Sequence, residues 1–144
     1  MSKRCTFCGH RYLKSNDIRQ KTEKILIDLI ENKDVTEFYC GNMGGFDKLC
    51  SSLVDELKRK YKNIKLCWVS AYSARNMYRD ENLMYDEIII PNLETENFTE
   101  AVTMRNVWMI DNCDIVVCYN VNNYGGAWNT RQYAENTNIE IIKV

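Results

Sequence analysis

The sequence predicts an α/β fold with a mainly parallel sheet and helices on both faces. Two observations carry that prediction. Short apolar runs of β type alternate along the chain with amphipathic stretches at helical spacing. Three of the apolar runs also end in glycine-bearing loops, at Gly9, at Gly41 to Gly45 and at Gly125-Gly126.

Residues 4–8 read as the first strand, closed by Gly9-His10-Arg11. Ser15 to Asp17 supply N-cap residues, and Ile18, Ile25, Leu26, Leu29 and Ile30 then recur on one helical face. Residues 37–40 form a second strand that runs into Gly41-Asn42-Met43-Gly44-Gly45-Phe46-Asp47. Leu49, Cys50, Leu53, Val54, Leu57 and Tyr61 make the stripe of a second helix, and residues 64–69 a third strand. Residues 71–87 are less regular and rich in Tyr, Arg and Asn. A fourth strand covers 87–90 and stops at Pro91; Thr99 is the expected cap of a helix reaching about Asn112. Residues 114–119 are an apolar strand opened by an Asp, followed by a turn-rich loop, a helix over 128–136 and a last strand over 139–144. Six strands in this alternation predict one Rossmann-like, doubly wound domain spanning 1–144.

Composition narrows the function classes. The chain has 144 residues, 45% apolar and 27% charged, with a net charge of −1. That balance gives no basic field, so no nucleic-acid partner is expected. No apolar run approaches the roughly 20 residues that cross a bilayer, and the N-terminus lacks a signal-peptide pattern. Seven cysteines without the framework of a small secreted domain read as reduced thiols, which places the chain in the cytoplasm. Cys5, Cys8 and His10 imitate a metal motif, but residues three apart in a strand face opposite sides and no second Cys-x-x-Cys follows. No metal and no cofactor is expected. Aromatic residues cluster between 68 and 109, which predicts a homo-oligomer.

Where a buried strand meets a glycine turn and a helix start, backbone N–H groups point outward without intrahelical partners. Such a place takes an anion, and in doubly wound sheets ligands bind at the carboxyl ends of the strands. The candidate ligand residues follow. Arg11 suits a phosphate or a surface ion pair. His10, the single histidine, suits a base, a ribose or a structural hydrogen bond. Gly41, Asn42, Gly44 and Gly45 line the second loop, and Asp47 either accepts a ribose hydroxyl or caps its helix. Arg75 is a phosphate clamp in the Tyr-rich loop. Arg105 and Asp111 lie six apart on one helix and do not share a face, so one of them, Asp111, is structural. Trp108 and Met109 read as core or dimer contacts. Tyr124, Gly125, Gly126, Ala127 and Thr130 complete the last loop, with the Thr130 hydroxyl in reach of a phosphate.

Gly9-His10-Arg11, Gly41-x-x-Gly44-Gly45-x-Asp47, Arg105-Asn106-x-Trp-Met109-Ile-Asp111-x-Cys-Asp114 and Tyr124-Gly-Gly-Ala-x-Asn-Thr130-x-x-x-Ala134 together resemble the SLOG superfamily. Within it they are most similar to the small YpsA-like branch of unknown function. The resemblance implies binding of a nucleotide or nucleotide-derived small molecule, NAD-derived signals included, for sensing or sequestration. Its relatives include the LOG phosphoribohydrolases, the DNA-processing protein DprA and, more distantly, nucleoside deoxyribosyltransferases. LOG enzymes carry Pro-Gly-Gly-x-Gly-Thr-x-x-Glu; here Gln132 stands where that Glu is expected, and the deoxyribosyltransferase nucleophile falls at Thr130. Glycosidic cleavage calls for a carboxylate, so binding is the first reading and catalytic residues stay unassigned. A small nucleotide-processing hydrolase, with Asp47 as a displaced carboxylate, is the alternative.

Overall fold

The computed structural model describes residues 2–13, 16–71, 84–120 and 122–144. The predicted clamp Arg75 lies outside them, as does Ser15 of the first predicted cap. In chain order the elements are β1 (Lys3–Gly9), α1 (Ile18–Asn32), β2 (Val35–Cys40), α2 (Gly44–Leu57), β3 (Lys65–Val69), β4 (Glu87–Ile89), α3 (Phe98–Asp111), β5 (Ile115–Tyr119), α4 (Gly126–Glu135) and β6 (Glu140–Lys143). The six strands form one sheet in the order β4-β3-β2-β1-β5-β6, and every pairing is parallel. This is the α/β architecture that the alternation of apolar runs predicts.

Period-two alternation sorts the strand side chains into two layers. Cys5 and Phe7 of β1 share a core with Phe38, Leu66, Trp68, Ile115 and Val117, covered by Leu26 and Leu29 of α1 and Phe46, Leu53 and Val54 of α2. Cys8 lies on the other face with Val116 and Cys118, under Ile110 of α3 and Ala134 of α4. Beside it Tyr39, Cys67 and Val69 pack on Met109, and the Trp108 ring stacks on Tyr39 at 6.1 Å. Cys5 and Cys8 thus occupy opposite faces, as their spacing requires; Met109 is core, and Trp108 is half-buried against it. Every residue of β5 is buried, which is why its sequence shows a continuous apolar run and no alternation.

The strand order reverses at β1. The chain lays β2, β3 and β4 to one side of it and then returns to place β5 and β6 on the other. The carboxyl ends of β1 and β5 therefore flank the switch point, where an open sheet leaves a crevice. Asp114 fixes this junction: its carboxylate accepts from the Arg4 N–H at 2.9 Å, and its own N–H donates to the Arg4 carbonyl at 2.9 Å.

Helix starts depart from the sequence reading. Asn97 caps α3, accepting from the Glu100 N–H at 2.9 Å, so Thr99 falls inside the first turn. The earlier Asn wins because its extended backbone aims the side-chain oxygen at the open donors. Asp17 precedes α1 with helical backbone angles and pairs with Lys21 at 3.0 Å instead of making a side-chain cap bond. The last helix begins at Gly126, two residues before Trp128, because Gly125 adopts φ +94° and closes the preceding turn there. Among the described residues no helix is long and apolar enough to cross a membrane.

Gly9 ends β1 directly beneath Phe46. A Cβ there would lie 2.4 Å from the Phe46 ring, which is itself fully buried and 5.5 Å from the Tyr119 ring. Gly9→Ala should therefore cost roughly 1–3 kcal/mol through overpacking. Urea unfolding checks this, and adding Phe46→Leu in the same chain should return part of the loss.

Candidate functional site

The crevice at the switch point opens between α3 and the N-terminal ends of α2 and α4. It consists of three adjoining hollows of about 120, 390 and 350 Å³ that share Met43, Val102 and Gly126 as walls. The smallest lies over the end of β1 and reaches Cys8, Asp47, Arg105 and Thr130. The largest is lined by Gly9, His10, Arg11 and Gly44. The third runs outward between α3 and α4, past Phe98 and Tyr133. Gly9, His10, Arg11, Gly44, Asp47, Arg105, Gly126, Ala127 and Thr130 thus come together. Gly41, Asn42, Gly45, Tyr124 and Gly125 line none of the three hollows.

Two helices present their N-termini here, and they differ. The N–H groups at the start of α2 are taken by its own chain: Gly45 donates to the Arg11 carbonyl at 2.7 Å and Phe46 to the His10 carbonyl at 3.3 Å. Gly45 has no Cβ because one would sit 2.3 Å from the Arg11 carbonyl oxygen. At α4 the first helical bond is Asn129 N–H to the Gly125 carbonyl at 2.9 Å, and among the described residues nothing accepts from the N–H groups of Gly126, Ala127 or Trp128. A Cβ on Gly125 or Gly126 would meet no atom within 4 Å. The open donors and the open space coincide at α4, where the positive end of the helix dipole favours an anion.

The glycines of the second loop do other work. A Cβ on Gly41 would come within 2.9 Å of the Arg105 guanidinium carbon. Gly44 takes φ +80°, and Asn42 tolerates φ 56°. The Asn42 side chain accepts from the Tyr85 hydroxyl at 3.1 Å, which accounts for its place outside the crevice wall. The sequence reading assigned Gly41, Asn42 and Gly44 to ligand approach, and of these Gly44 lines the crevice; sequence alone does not reveal what fills the space beside a glycine.

Arg105 lines the smallest hollow, and most of its donors are already engaged. It is 1% exposed. Its Nη1 donates to the Gly41 carbonyl at 2.9 Å and the Val69 carbonyl at 3.0 Å, and its Nε to Asn106 at 2.9 Å. The guanidinium bridges strand ends, and among the described residues Arg11 is the exposed cation lining the crevice. Among the described residues no carboxylate pairs with Arg11. Asp111 is structural as expected, accepting from the Tyr133 hydroxyl at 2.7 Å.

His10 accepts the Asn122 N–H at 3.0 Å through Nε2. That bond requires the neutral ring with its proton on Nδ1, and it ties the loop after β5 to the loop after β1. The Thr130 hydroxyl donates to the Gly126 carbonyl at 2.9 Å. Asp47 combines both of its sequence readings: its carboxylate accepts from the Met43 N–H at 3.4 Å and also faces the smallest hollow. Burial raises its pKa from 3.8 to about 6, against the opposing pull of Arg105 and the Met43 N–H. The group can thus gain or lose a proton close to neutral pH. Val102 and Asn106 are crevice residues that the sequence reading missed; their i,i+4 spacing on α3 was the available signal. Among the described residues no group of three or more His, Cys, Asp or Glu could hold a metal ion.

No family model matches the chain, and no curated protein matches it. Solved structures do. DNA processing protein A (DprA) from Streptococcus pneumoniae superposes with a TM-score of 0.72 at 14% identity, over 99% of this chain and 50% of that one. DprA from Helicobacter pylori, described by its single-stranded DNA binding mode, gives 0.69 at 13% identity, over 98% and 64%. The protein TM1055 gives 0.52 at 15% identity, over 92% and 68%. The chain therefore spans half to under two thirds of the DprA proteins it matches. At these identities the likeness shows the fold: Rossmann-like, of the kind found in DprA.

Two outcomes follow from the site. Arg105→Met keeps most of the side-chain volume but leaves the Gly41 and Val69 carbonyls without their donor, so stability should fall by about 3 kcal/mol in urea unfolding. Asp47 gives a pH signature. Because its folded pKa is raised, its contribution is most favourable below about pH 4 and is lost as pH rises through about 6. Unfolding midpoints of Asp47→Asn should show a flatter profile across that window than the wild type.

Proposed function

We propose that the chain binds a nucleotide or nucleotide-derived small molecule in this crevice, for sensing or sequestration. We assign it to the SLOG-type proteins and, more finely, to their YpsA-like branch. One observation carries the reading: the unpartnered N–H groups at the start of α4 face open space that Gly125 and Gly126 leave clear. A phosphate there receives backbone donors and the helix dipole, with Arg11 across the crevice as counter-charge. The hollow toward His10 and Tyr12 accommodates the ribose and base, and Tyr12 is 74% exposed beside it. A net charge of −1 favours a small ligand over a nucleic-acid strand, although H. pylori DprA is described by its binding of single-stranded DNA.

Asp47 supports a second reading, hydrolysis of the bound nucleotide. It is a carboxyl group at about pKa 6 on the crevice wall, within the range that general acid–base chemistry uses. Release of a free base, followed by chromatography, distinguishes turnover from binding; if turnover occurs, Asp47→Asn should abolish it while retaining the nucleotide.

A thermal-shift panel of AMP, NAD, ADP-ribose and a single-stranded oligonucleotide tests the first reading, since a ligand at about 100 times its dissociation constant adds about 2.7 kcal/mol. By calorimetric titration with the best of these, Gly126→Val should abolish binding in a folded protein. Arg11→Ala should weaken it roughly tenfold, the equivalent of one charge-assisted bond. Wild-type affinity in both variants places the ligand elsewhere. We also propose a homo-oligomer, with Ile90 and Phe98 among the exposed large apolar side chains; light scattering should return more than the 17.0 kDa of one chain.

A further inference from the structure

We propose that Cys8 and Cys118 form a reversible disulfide when a hydroperoxide enters the crevice, and that this bond displaces the start of α4. The two residues are direct partners in the parallel pairing of β1 with β5. Their sulfurs lie 3.5 Å apart. No other cysteine pair among the described residues brings its sulfurs into contact, although all seven thiols are free. Neighbouring strands set paired Cα atoms roughly 4.8 Å apart, inside the range of about 4.4–6.8 Å that a disulfide spans. Closing the remaining gap to about 2.05 Å takes side-chain rotation and a small shift of the strands.

Access and consequence come from the same sulfur. Cys8 lines the hollow of about 120 Å³ at the end of β1, so a molecule as small as hydrogen peroxide reaches it without unfolding. Its thiol also donates to the Ala127 carbonyl at 3.3 Å, in the first turn of α4. Cys118 sits beside it on the same face, with its pKa lowered by the hydrogen bond from Cys8 and by the charge of Arg131; burial opposes both. That same hydrogen bond, together with burial, holds the Cys8 thiol up, and the remaining cysteines with shifted pKa values are pushed upward by burial.

The chemistry balances. One proton leaves the pair from Cys118; the proton of Cys8 then crosses the S–H···S contact to Cys118, so that the Cys8 sulfur facing the hollow carries the charge. The Cys8 sulfur attacks one peroxide oxygen, the O–O bond breaks, and the departing hydroxide takes up a proton as water, leaving a sulfenic acid. The Cys118 sulfur then attacks the Cys8 sulfur, the S–O bond breaks, and a second water leaves. Two thiols lose two electrons and the peroxide gains them. Cys8 no longer carries a proton, so its bond to the Ala127 carbonyl is lost, and the first turn of α4 shifts with the strands beneath it.

The test needs no ligand. The intact wild-type protein is treated with hydrogen peroxide, its remaining thiols are alkylated, and unreduced peptides are mapped by mass spectrometry, with amide exchange followed in parallel. The expected result is one cross-linked peptide joining Cys8 to Cys118, lighter by two hydrogens and cleaved by dithiothreitol, with altered exchange at residues 126–130. Cys8→Ser and Cys118→Ser should each lose that peptide. Oxygen adducts without the cross-link, a cross-link between other cysteines, no reaction, or a cross-link with unchanged exchange in α4 would each overturn the proposal. The wild-type map decides by itself if a variant fails to fold.

Discussion

The guanidinium of Arg105 lies where α3, the loop before α2 and the ends of β2 and β3 meet. It accepts no water-exposed role: Nη1 reaches the carbonyls of Gly41 and Val69, at the ends of β2 and β3, and Nε reaches Asn106 on its own helix. Its second terminal nitrogen lies 3.5 Å from the Met43 sulfur, in the loop before α2. A planar group with donors in fixed directions can satisfy two strand-end carbonyls at once, which an ammonium does with far less geometric definition. A buried cation calls for compensation, and the carbonyl dipoles together with the Asp47 carboxylate supply it. The crevice wall keeps its shape because this one side chain fixes where α3, the α2 loop and the strand ends sit.

Much of this fold is legible in the sequence because its signals are local. Apolar strands, amphipathic helices and glycine-bearing strand ends recur in order, and a parallel sheet with crossover helices follows from that alternation. The site is legible in part. His10, Arg11, Asp47, Gly126 and Thr130 gather in one crevice because they follow strand ends or begin helices. The roles of Gly9, Gly41 and Gly45 are not legible. A glycine announces that a Cβ is excluded, and the excluding atom can equally be the Phe46 ring, the Arg105 guanidinium or the Arg11 carbonyl. Arg105 shows the same limit from the other direction. A cation in a motif reads as a ligand group, and only the tertiary contacts reveal that strand carbonyls occupy it.

The contrast between the two helix starts has a general bearing on how such crevices select ligands. Both α2 and α4 begin at glycine, and both point toward the same opening. The chain itself fills the first with the carbonyls of His10 and Arg11 and leaves the second clear. A crevice with two free helix ends would accommodate two separated anionic groups. Here, among the described residues, one helix start keeps its N–H groups open, with Arg11 on the crevice wall and a carboxyl group of shifted pKa nearby.

The pairing of Arg4 with Asp114 spans 110 positions of sequence. At a synthesis rate of roughly 5–20 residues per second, β1 leaves the ribosome several seconds before the strand that completes its second edge. The segment carrying β2 arrives early and can cover one side, with α1 and α2 packing over one face. The edge destined for β5 stays open through that interval, with the apolar side chains of Phe7 and Cys8 beside it. The segment from β5 onward therefore does more than wall the crevice: it covers the free edge of β1 against pairing with other nascent chains, so a translational pause before residue 115 lengthens the period in which that edge is open to aggregation.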